Sequence, residues 1–358
     1  MFNLIERYIA KHVILASLFI LSLLVFLQAL FGMLAESASV GRGSYQLADA
    51  FLFVGLMLPQ RVLDFFPMGV LIGSLFGLGV LASNNELTVM RAAGMTTWKI
   101  SFATVKASFV LMIGVLILSE IIAPVASKTA LQLRTSALSD GKISHSETGL
   151  WAKRDNQIIH IASVLRNGKM YKVSIFQFDK NNRLNKLIEA KSAEIIDEVW
   201  YLFNVNKTHF KVKNNNKIEK TFIAKMQWKN PLDKDNIETL TLDPETLSFM
   251  GLVKYKKYLM DNQLNSHAVE LAIWQRLFLP LSISVMMMLA ASFLFGPMRD
   301  VSMGARVLTG VMLGFGFYLV KQSFGPISYL YGVSPFFGAL FPILFFFILA
   351  IWLMKKSR

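Results

Sequence analysis

Val13-Ile-Leu-Ala-Ser-Leu-Phe-Ile-Leu-Ser-Leu-Leu-Val-Phe-Leu-Gln-Ala-Leu-Phe-Gly-Met-Leu34 is a run of 22 residues without one charge. A hydrocarbon core about 30 Å thick is crossed by roughly 20 such residues in a helix, so the run reads as a membrane span. It is too long for the apolar region of a signal peptide and lacks an Ala-x-Ala exit, so the span is expected to be retained. The whole chain agrees in composition. Of 358 residues, 54% are hydrophobic and 17% charged, and mean hydropathy is +0.48; a soluble domain carries roughly 25% charge. Cysteine is absent, which removes disulfides, thiolate metal sites and cysteine nucleophiles together.

Outward from this run, five more stretches have the same character. The apolar stretch Leu47–Ala82 would make a helix of about 50 Å, more than one crossing needs. Pro59, Arg61, Asp64 and Pro67 cluster in its first half. The second span is therefore expected at Phe65–Ala82, with the preceding turns at the interface. Ile100–Pro124 is the third span, and Val269–Phe295, Ala305–Phe324 and Pro335–Met354 close the chain. Between the third and fourth spans the pattern changes to short alternating stretches. Trp151–Leu165 alternates around an Arg154-Asp155-Asn156 turn, Met170–Phe178 runs into Asp179-Lys180-Asn181-Asn182, and Thr208–Val212 into Asn214-Asn215-Asn216. Strands of this length between Asn/Asp-rich turns predict an antiparallel sandwich or roll. Asp243-Pro244-Glu245-Thr246 then predicts an N-cap and a short helix to about Met260. The expected organisation is an α-helical membrane protein with six transmembrane helices, three plus three, around an inserted β domain. Residues 1–124 hold the first three spans, 125–267 the β domain and short helix, and 268–358 the last three spans.

The formal charge of +14 comes from 37 Lys+Arg against 23 Asp+Glu. In a soluble chain that excess would suggest nucleic acid, but here its positions explain it. With the N-terminus cytoplasmic, the inside set is Arg7, Lys11, Arg91, Lys99, Lys106, Arg299, Arg306, Lys355, Lys356 and Arg358; the short outer connections offer only Arg42. The positive-inside rule then puts both termini in the cytoplasm and the β domain outside. Four cations not needed for topology, Arg42, Arg61, Arg276 and Lys321, are left as candidates for substrate contact.

No catalytic constellation emerges. There is no Gly-x4-Gly-Lys-Ser/Thr loop. His12, His145, His160, His209 and His267 never approach ligand spacing, so no metal and no cofactor is expected. Glu194, Asp197 and Glu198 read as a solvated strand end, and the Asn206-Lys207-Thr208 sequon is too short to carry weight.

Three features carry more. Asn84 to Met95 places apolar Leu87 and Met90 between Glu86 and Arg91 and ends near Gly94, the pattern of a short amphipathic helix. Such a helix, held along the membrane at 84–95, is either an ordinary interfacial helix or a socket for a separate motor. Ionisable residues gather at the outer ends of the spans: Arg42, Arg61 and Asp64, Arg134 past span three, and Lys321 in span five. Charges at membrane depth persist where they pair, line a polar cavity or touch a ligand, and a basic rim suits an anionic headgroup. Pairing of Arg61 with Asp64 and snorkelling of Lys321 are the competing readings. Finally, Gly69, Gly73 and Gly77, and Gly310 with Gly314, repeat every fourth residue, which lets helices approach closely within the subunit or across to a partner.

The residues also match a known pattern. Leu-Ile-Glu-Arg-Tyr-Ile at the start, Phe-Phe-Pro-Met before the glycine-rich span, Glu86 to Gly94, Gly149-Leu-Trp-Ala, Phe295-Gly-Pro-Met-Arg299 through Met303-Gly-Ala-Arg-Val307, and Phe324-Gly-Pro326 together make the chain resemble the YjgP/YjgQ family. These are permease subunits of the bacterial lipopolysaccharide exporter, and the chain is similar to the LptG type more than to its sister LptF. The resemblance implies a heterodimer with LptF, driven by a cytoplasmic dimer of the ATPase LptB and joined by LptC. It implies a non-catalytic subunit of the inner membrane whose β domain is a periplasmic jelly roll. Its substrate would be lipopolysaccharide, taken from the outer leaflet and passed to a jelly-roll bridge toward the outer membrane. Glu86, Met90, Arg91 and Gly94 would dock on the ATPase, and Arg42, Arg61, Arg134 and Lys321 would form the rim meeting lipid A phosphates. The chain departs from the pattern around Phe31 to Ser39: close relatives place several lysines there, and this chain has Gly32, Glu36 and neutral residues. A membrane receptor or scaffold with an outer ligand-binding domain is the alternative from another class.

Overall fold

The computed structural model describes residues 4–138, 144–154, 156–164, 169–179, 183–196, 199–211, 217–228, 244–262, 264–295 and 301–356. Asp155, Lys180 to Asn182, Asp197, Glu198, Asn214 to Asn216, Asp243 and Gly296 to Arg299, read above as turns, a strand end, a cap and part of the family pattern, lie outside those residues. The chain divides into two units, Met1–Gly32 with Gly55–Ser127 and His267–Arg358, and Met33–Val54 with Lys128–Ser266.

The first unit is built from helices. They are α1 (Leu4–Ser37), α2 (Leu47–Ser83), α3 (Glu86–Ala92) and α4 (Thr97–Ile117), the last running through a π-helical turn (Leu118–Ile122) into α5 (Ala123–Leu138), with residues 33–37, 47–54 and 128–138 of these helices counted in the second unit. After the β domain come α7 (His267–Leu277), α8 (Leu279–Phe295), α9 (Met303–Leu330) and α10 (Pro335–Lys356). Among the described residues five helical spans are long and apolar enough to cross a membrane, and the pair α7 and α8, bent by 51° at Phe278, makes a sixth when taken as one span. The expected six-span count is met. The expected interruption of the second span is not, because Pro59 and Pro67 both lie inside the continuous helix α2. Each proline removes one backbone donor, a loss that membrane helices tolerate when neighbours enclose them. Enclosure is what α2 has: 78% of its most apolar window is buried, against 28% for α1.

The glycine stripes explain how α2 becomes central. A Cβ at Gly73 would overlap the backbone of Ser17 in α1; one at Gly77 would sit 2.9 Å from the His12 carbonyl oxygen, and one at Gly69 3.0 Å from Leu21 Cδ1. On the other side, Cβ atoms at Gly310 and Gly314 of α9 would come 2.8 Å from Leu75 and 2.6 Å from Met68. Both stripes are therefore spent on packing within the subunit. Lipid is as apolar as leucine, so this close approach supplies the dispersion that burial supplies in water.

The described residues of the second unit hold six antiparallel strands, β1 (Ser144–Arg154), β2 (Gln157–Val164), β3 (Met170–Phe178), β4 (Leu184–Ile196), β5 (Val199–Lys211) and β6 (Lys217–Trp228), paired in chain order in one sheet. The expected antiparallel β insertion is present, and α6 (Phe249–Asp261) follows it. The sheet is creased. Buried side chains are three apart, not two, at Met170 and Val173, Ala190 and Ala193, and Leu202 and Val205. The pairing puts Ala162, Lys172, Lys191, Asn204 and Ala224 in one row between those positions. Lys172 (φ 49°) and Asn204 (φ 51°) take left-handed backbone there, the local kink of a bulge that bends a strand. Residues on both sides of the row thereby face one core, around the fully buried Trp200, with Tyr258 of α6 packed against it.

Candidate functional site

Helix α3 is seated by its own apolar residues. Leu87 is buried and Met90 and Met95 pack on the cluster that includes Leu81 and Ile100, while Thr88, Val89, Arg91 and Ala92 face outward. Its end is sharply defined. Gly94 (φ +90°) lets Met95 N–H donate to the Met90 carbonyl at 3.1 Å and Gly94 N–H to Arg91 at 3.0 Å, a Schellman termination. Glu86, at the other end, accepts a hydrogen bond from Asn84 Nδ2 at 3.4 Å and lies close enough to the phenol of Tyr8 in α1 for the two to interact electrostatically. Nearby, Lys106 of α4 donates to Glu6 of α1 at 2.7 Å. The four residues expected to couple thus lie on α3 and its terminating turn, and the Glu86 carboxylate sits beside the first span. Neither Tyr8 nor Glu6 announces that link in the sequence, since each partner is about 80 or 100 residues distant.

The basic residues divide by unit and by partner. In the helical unit, Arg61 faces Asp64 at 3.6 Å, and Gln60 donates to the same carboxylate at 3.3 Å. Helices α2 and α9 run antiparallel there, Gly310 meeting Ile72, Gly314 meeting Met68 and Phe65 stacking on Tyr318 at 6.1 Å. One more turn of that register puts Arg61 level with Lys321. The half-buried Lys321 opens on a crevice lined by Pro67, Gln275, Ser282 and Phe317. Among the described residues no carboxylate forms an ion pair with Lys321. Arg276, the fourth cation set aside from topology, is held by Ser119 and Glu120.

In the other unit, Arg134 of α5 donates to Glu36 at 2.6 Å, lies 3.5 Å from Ser39 Oγ and stacks over the Phe53 ring at 5.5 Å. Tyr45 is buried beside them, and burial first, then the Glu36 carboxylate, pushes its phenol up to about 12. The corner between α1 and α2 is tied down by Ser44, whose N–H donates to the Ala137 carbonyl at 2.9 Å. Arg42 projects from that corner, exposed, with no ion-pair partner among the described residues. Glu36 is the residue that sequence reading counted only as a departure from the family pattern. It is the counter-ion of Arg134.

Residues 7–356 match the family described as lipopolysaccharide export system permease LptF/LptG. The chain is similar to the lipopolysaccharide export system permease protein LptG of Escherichia coli (strain K12), 36% identical over 359 residues and 99% of each chain. It is 35% identical over 360 residues, the full length of both chains, to the protein of the same name from Haemophilus influenzae. With such matches running from end to end, the chain belongs to the lipopolysaccharide export system permease LptF/LptG family.

Proposed function

We propose that the chain is the LptG-type half of a lipopolysaccharide exporter in the inner membrane of a Gram-negative bacterium, paired with LptF, driven by an LptB dimer and joined by LptC. The observation that carries this reading is the 36% identity to an LptG protein over 99% of both chains. The charge asymmetry of the short loops supports cytoplasmic termini and a periplasmic β domain. In this orientation α3 faces the ATPase, with Glu86, Met90, Arg91 and Gly94 as the docking element. Closure of the ATPase displaces α3, and Glu86 carries the displacement through Tyr8 to α1. A cavity with two arrangements then narrows and moves lipid outward, the kind of bistable element a motor can drive. The chain supplies no nucleotide chemistry of its own.

At the outer ends, Arg42 and Lys321 are the cations available to phosphate without first losing a carboxylate. Arg61 in the helical unit and Arg134 in the other are each proposed to meet lipid A phosphate by exchanging a carboxylate, Asp64 and Glu36 respectively. The test is purification from native membranes followed by photocrosslinking at positions 42 and 321. The expected result is a stoichiometric cytoplasmic ATPase and lipopolysaccharide adducts at both positions. A chain purified without an ATPase would favour a receptor or scaffold. Glu86→Ala is expected to lower lipid release while the complex stays assembled; undiminished release would overturn the coupling role.

A further inference from the structure

The third and fourth spans each carry an irregularity, and the two irregularities meet. Span three leaves α-helical geometry for one π-helical turn at Leu118–Ile122. The fourth span bends by 51° between α7 and α8, where Phe278 is followed by Leu279 and Pro280. Arg276, two residues before the bend, is largely withdrawn from solvent, its side chain 12% exposed. Its guanidinium donates to the Ser119 carbonyl at 3.2 Å and faces the Glu120 carboxylate at 3.6 Å. Both acceptors lie in the π-helical turn. Such a turn widens the helix by one residue and loosens the usual i to i−4 pairing, which leaves a backbone carbonyl open to an outside donor; turns of this kind concentrate at functional positions. A guanidinium at membrane depth needs both a counter-charge and acceptors for its N–H groups, and this one turn supplies one of each.

The face of the bend is packed as well. Trp274 and Phe278 stack at 5.6 Å, and Phe336 of α10 meets them edge-on at 4.9 and 5.5 Å. Thus α7 is gripped on one side by an aromatic cluster and on another by an ion pair, while Pro280 leaves the joint to α8 without one backbone donor. We infer that Glu120 and Arg276 are a positioning pair that locks α7 to the π-helical turn of span three, whose preceding helix α4 already holds α8 through Ser108 and Ser284, so that the Phe278–Pro280 joint keeps its angle during lipid transport. The transport step itself rests on the permease reading above. Locking matters there because α7 is the first helix of the helical unit to follow the β domain in the chain. Without the lock, displacement of span three is dissipated at the joint and ATP is spent without lipid moving.

The absence of cysteine from this chain makes the test direct. In the complete ATPase-bound complex, spin labels on Ile121→Cys in the π-helical turn and Leu277→Cys in α7, both exposed positions, report the distance between the two segments. The expected result is one narrow distribution in the parent. In Glu120→Gln and in Arg276→Gln it broadens, and lipopolysaccharide released per ATP falls by about two- to thirtyfold while ATP is still hydrolysed. Because a lone buried charge can unfold the chain, the paired Glu120→Gln/Arg276→Gln variant is measured beside the single ones. It is expected to recover part of the narrow distribution through a neutral hydrogen bond. Single variants with parental distances and parental release per ATP would overturn the proposal, as would reduced release with the distance unchanged. A parent complex that moves no lipopolysaccharide would instead fail the permease reading.

Discussion

Removing Arg134 should destabilise the chain before it affects lipid. The guanidinium lies 2.6 Å from a Glu36 carboxylate whose side chain is 10% exposed, while Arg134 itself is 33% exposed. At an effective dielectric near 20, two unit charges about 4 Å apart attract by about 4 kcal/mol, and desolvation of Glu36 cancels much of that gain. Deleting the cation leaves the cancelled term behind. Breaking fully buried pairs costs about 3–5 kcal/mol, and the exposed third of Arg134 scales the expectation for Arg134→Ala to about 2–3 kcal/mol. Glu36→Gln should cost only about 1 kcal/mol, because the remaining guanidinium reaches water and keeps its stacking on Phe53. The assay is a double-mutant cycle by denaturant titration of the detergent-solubilised protein, with lipopolysaccharide binding measured on the same variants. Glu36→Gln releases Arg134 for phosphate, so binding should tighten by about fivefold, near 1 kcal/mol. An Arg134→Ala chain as stable as the parent, or lipid lost equally in both single variants, would refute the reasoning.

Other predictions follow from the packing and the polar ends. Gly73→Ala puts a methyl 2.6 Å from Ser17 N and 2.8 Å from its Oγ, so α1 must move and stability should fall by about 1–3 kcal/mol. Gly114→Ala, with nothing within 4 Å, should be neutral or gain up to about 1 kcal/mol; thermal unfolding of the two variants side by side checks the contrast. The raised phenol of Tyr45 means that the folded chain holds this proton more tightly than the unfolded chain. Its contribution is complete below the ordinary value of 10 and is lost as pH rises toward about 12. Stability against pH in the parent and in Tyr45→Phe should show that alkaline loss in the parent alone. Tyr8→Phe removes the phenol beside Glu86 and is expected to lower lipid moved per ATP by about two- to tenfold, with ATPase binding unchanged in a pull-down.

The spans could be read because an uncharged run of 20 residues is a signal of composition and needs no partner. The second span shows the limit of that reading. Pro59 and Pro67 suggest a break, but whether a proline breaks a membrane helix depends on the helices enclosing it, and α2 is the most enclosed of the spans. The close of α3 was legible because Gly94 acts locally; its start was not, since the helix begins at Glu86 after a left-handed Asn85 and not at Asn84. The glycine spacing announced close packing yet not its target, which lies 50 or more residues away for Gly73 and far beyond that for Gly314. Asn204 is of a type that enters left-handed backbone readily, whereas nothing in the type of Lys172 announces it, and the crease follows only from the pairing across the sheet. The basic residues could be listed from charge alone, but not their state. Glu36 and Arg134 are separated by 98 positions, and Glu120 and Arg276 by 156, so only the fold reveals which cations already hold a carboxylate.

The most direct measurement of the central claim uses the purified chain with its partner permease and ATPase, reconstituted in liposomes loaded with lipopolysaccharide. A soluble acceptor β domain with a photocrosslinking residue collects what leaves the membrane. Lipopolysaccharide is expected to accumulate on the acceptor only with hydrolysable ATP, and Glu86→Ala to slow the transfer. Transfer that proceeds equally without ATP, or a complex that hydrolyses ATP and releases no lipopolysaccharide, would contradict that claim.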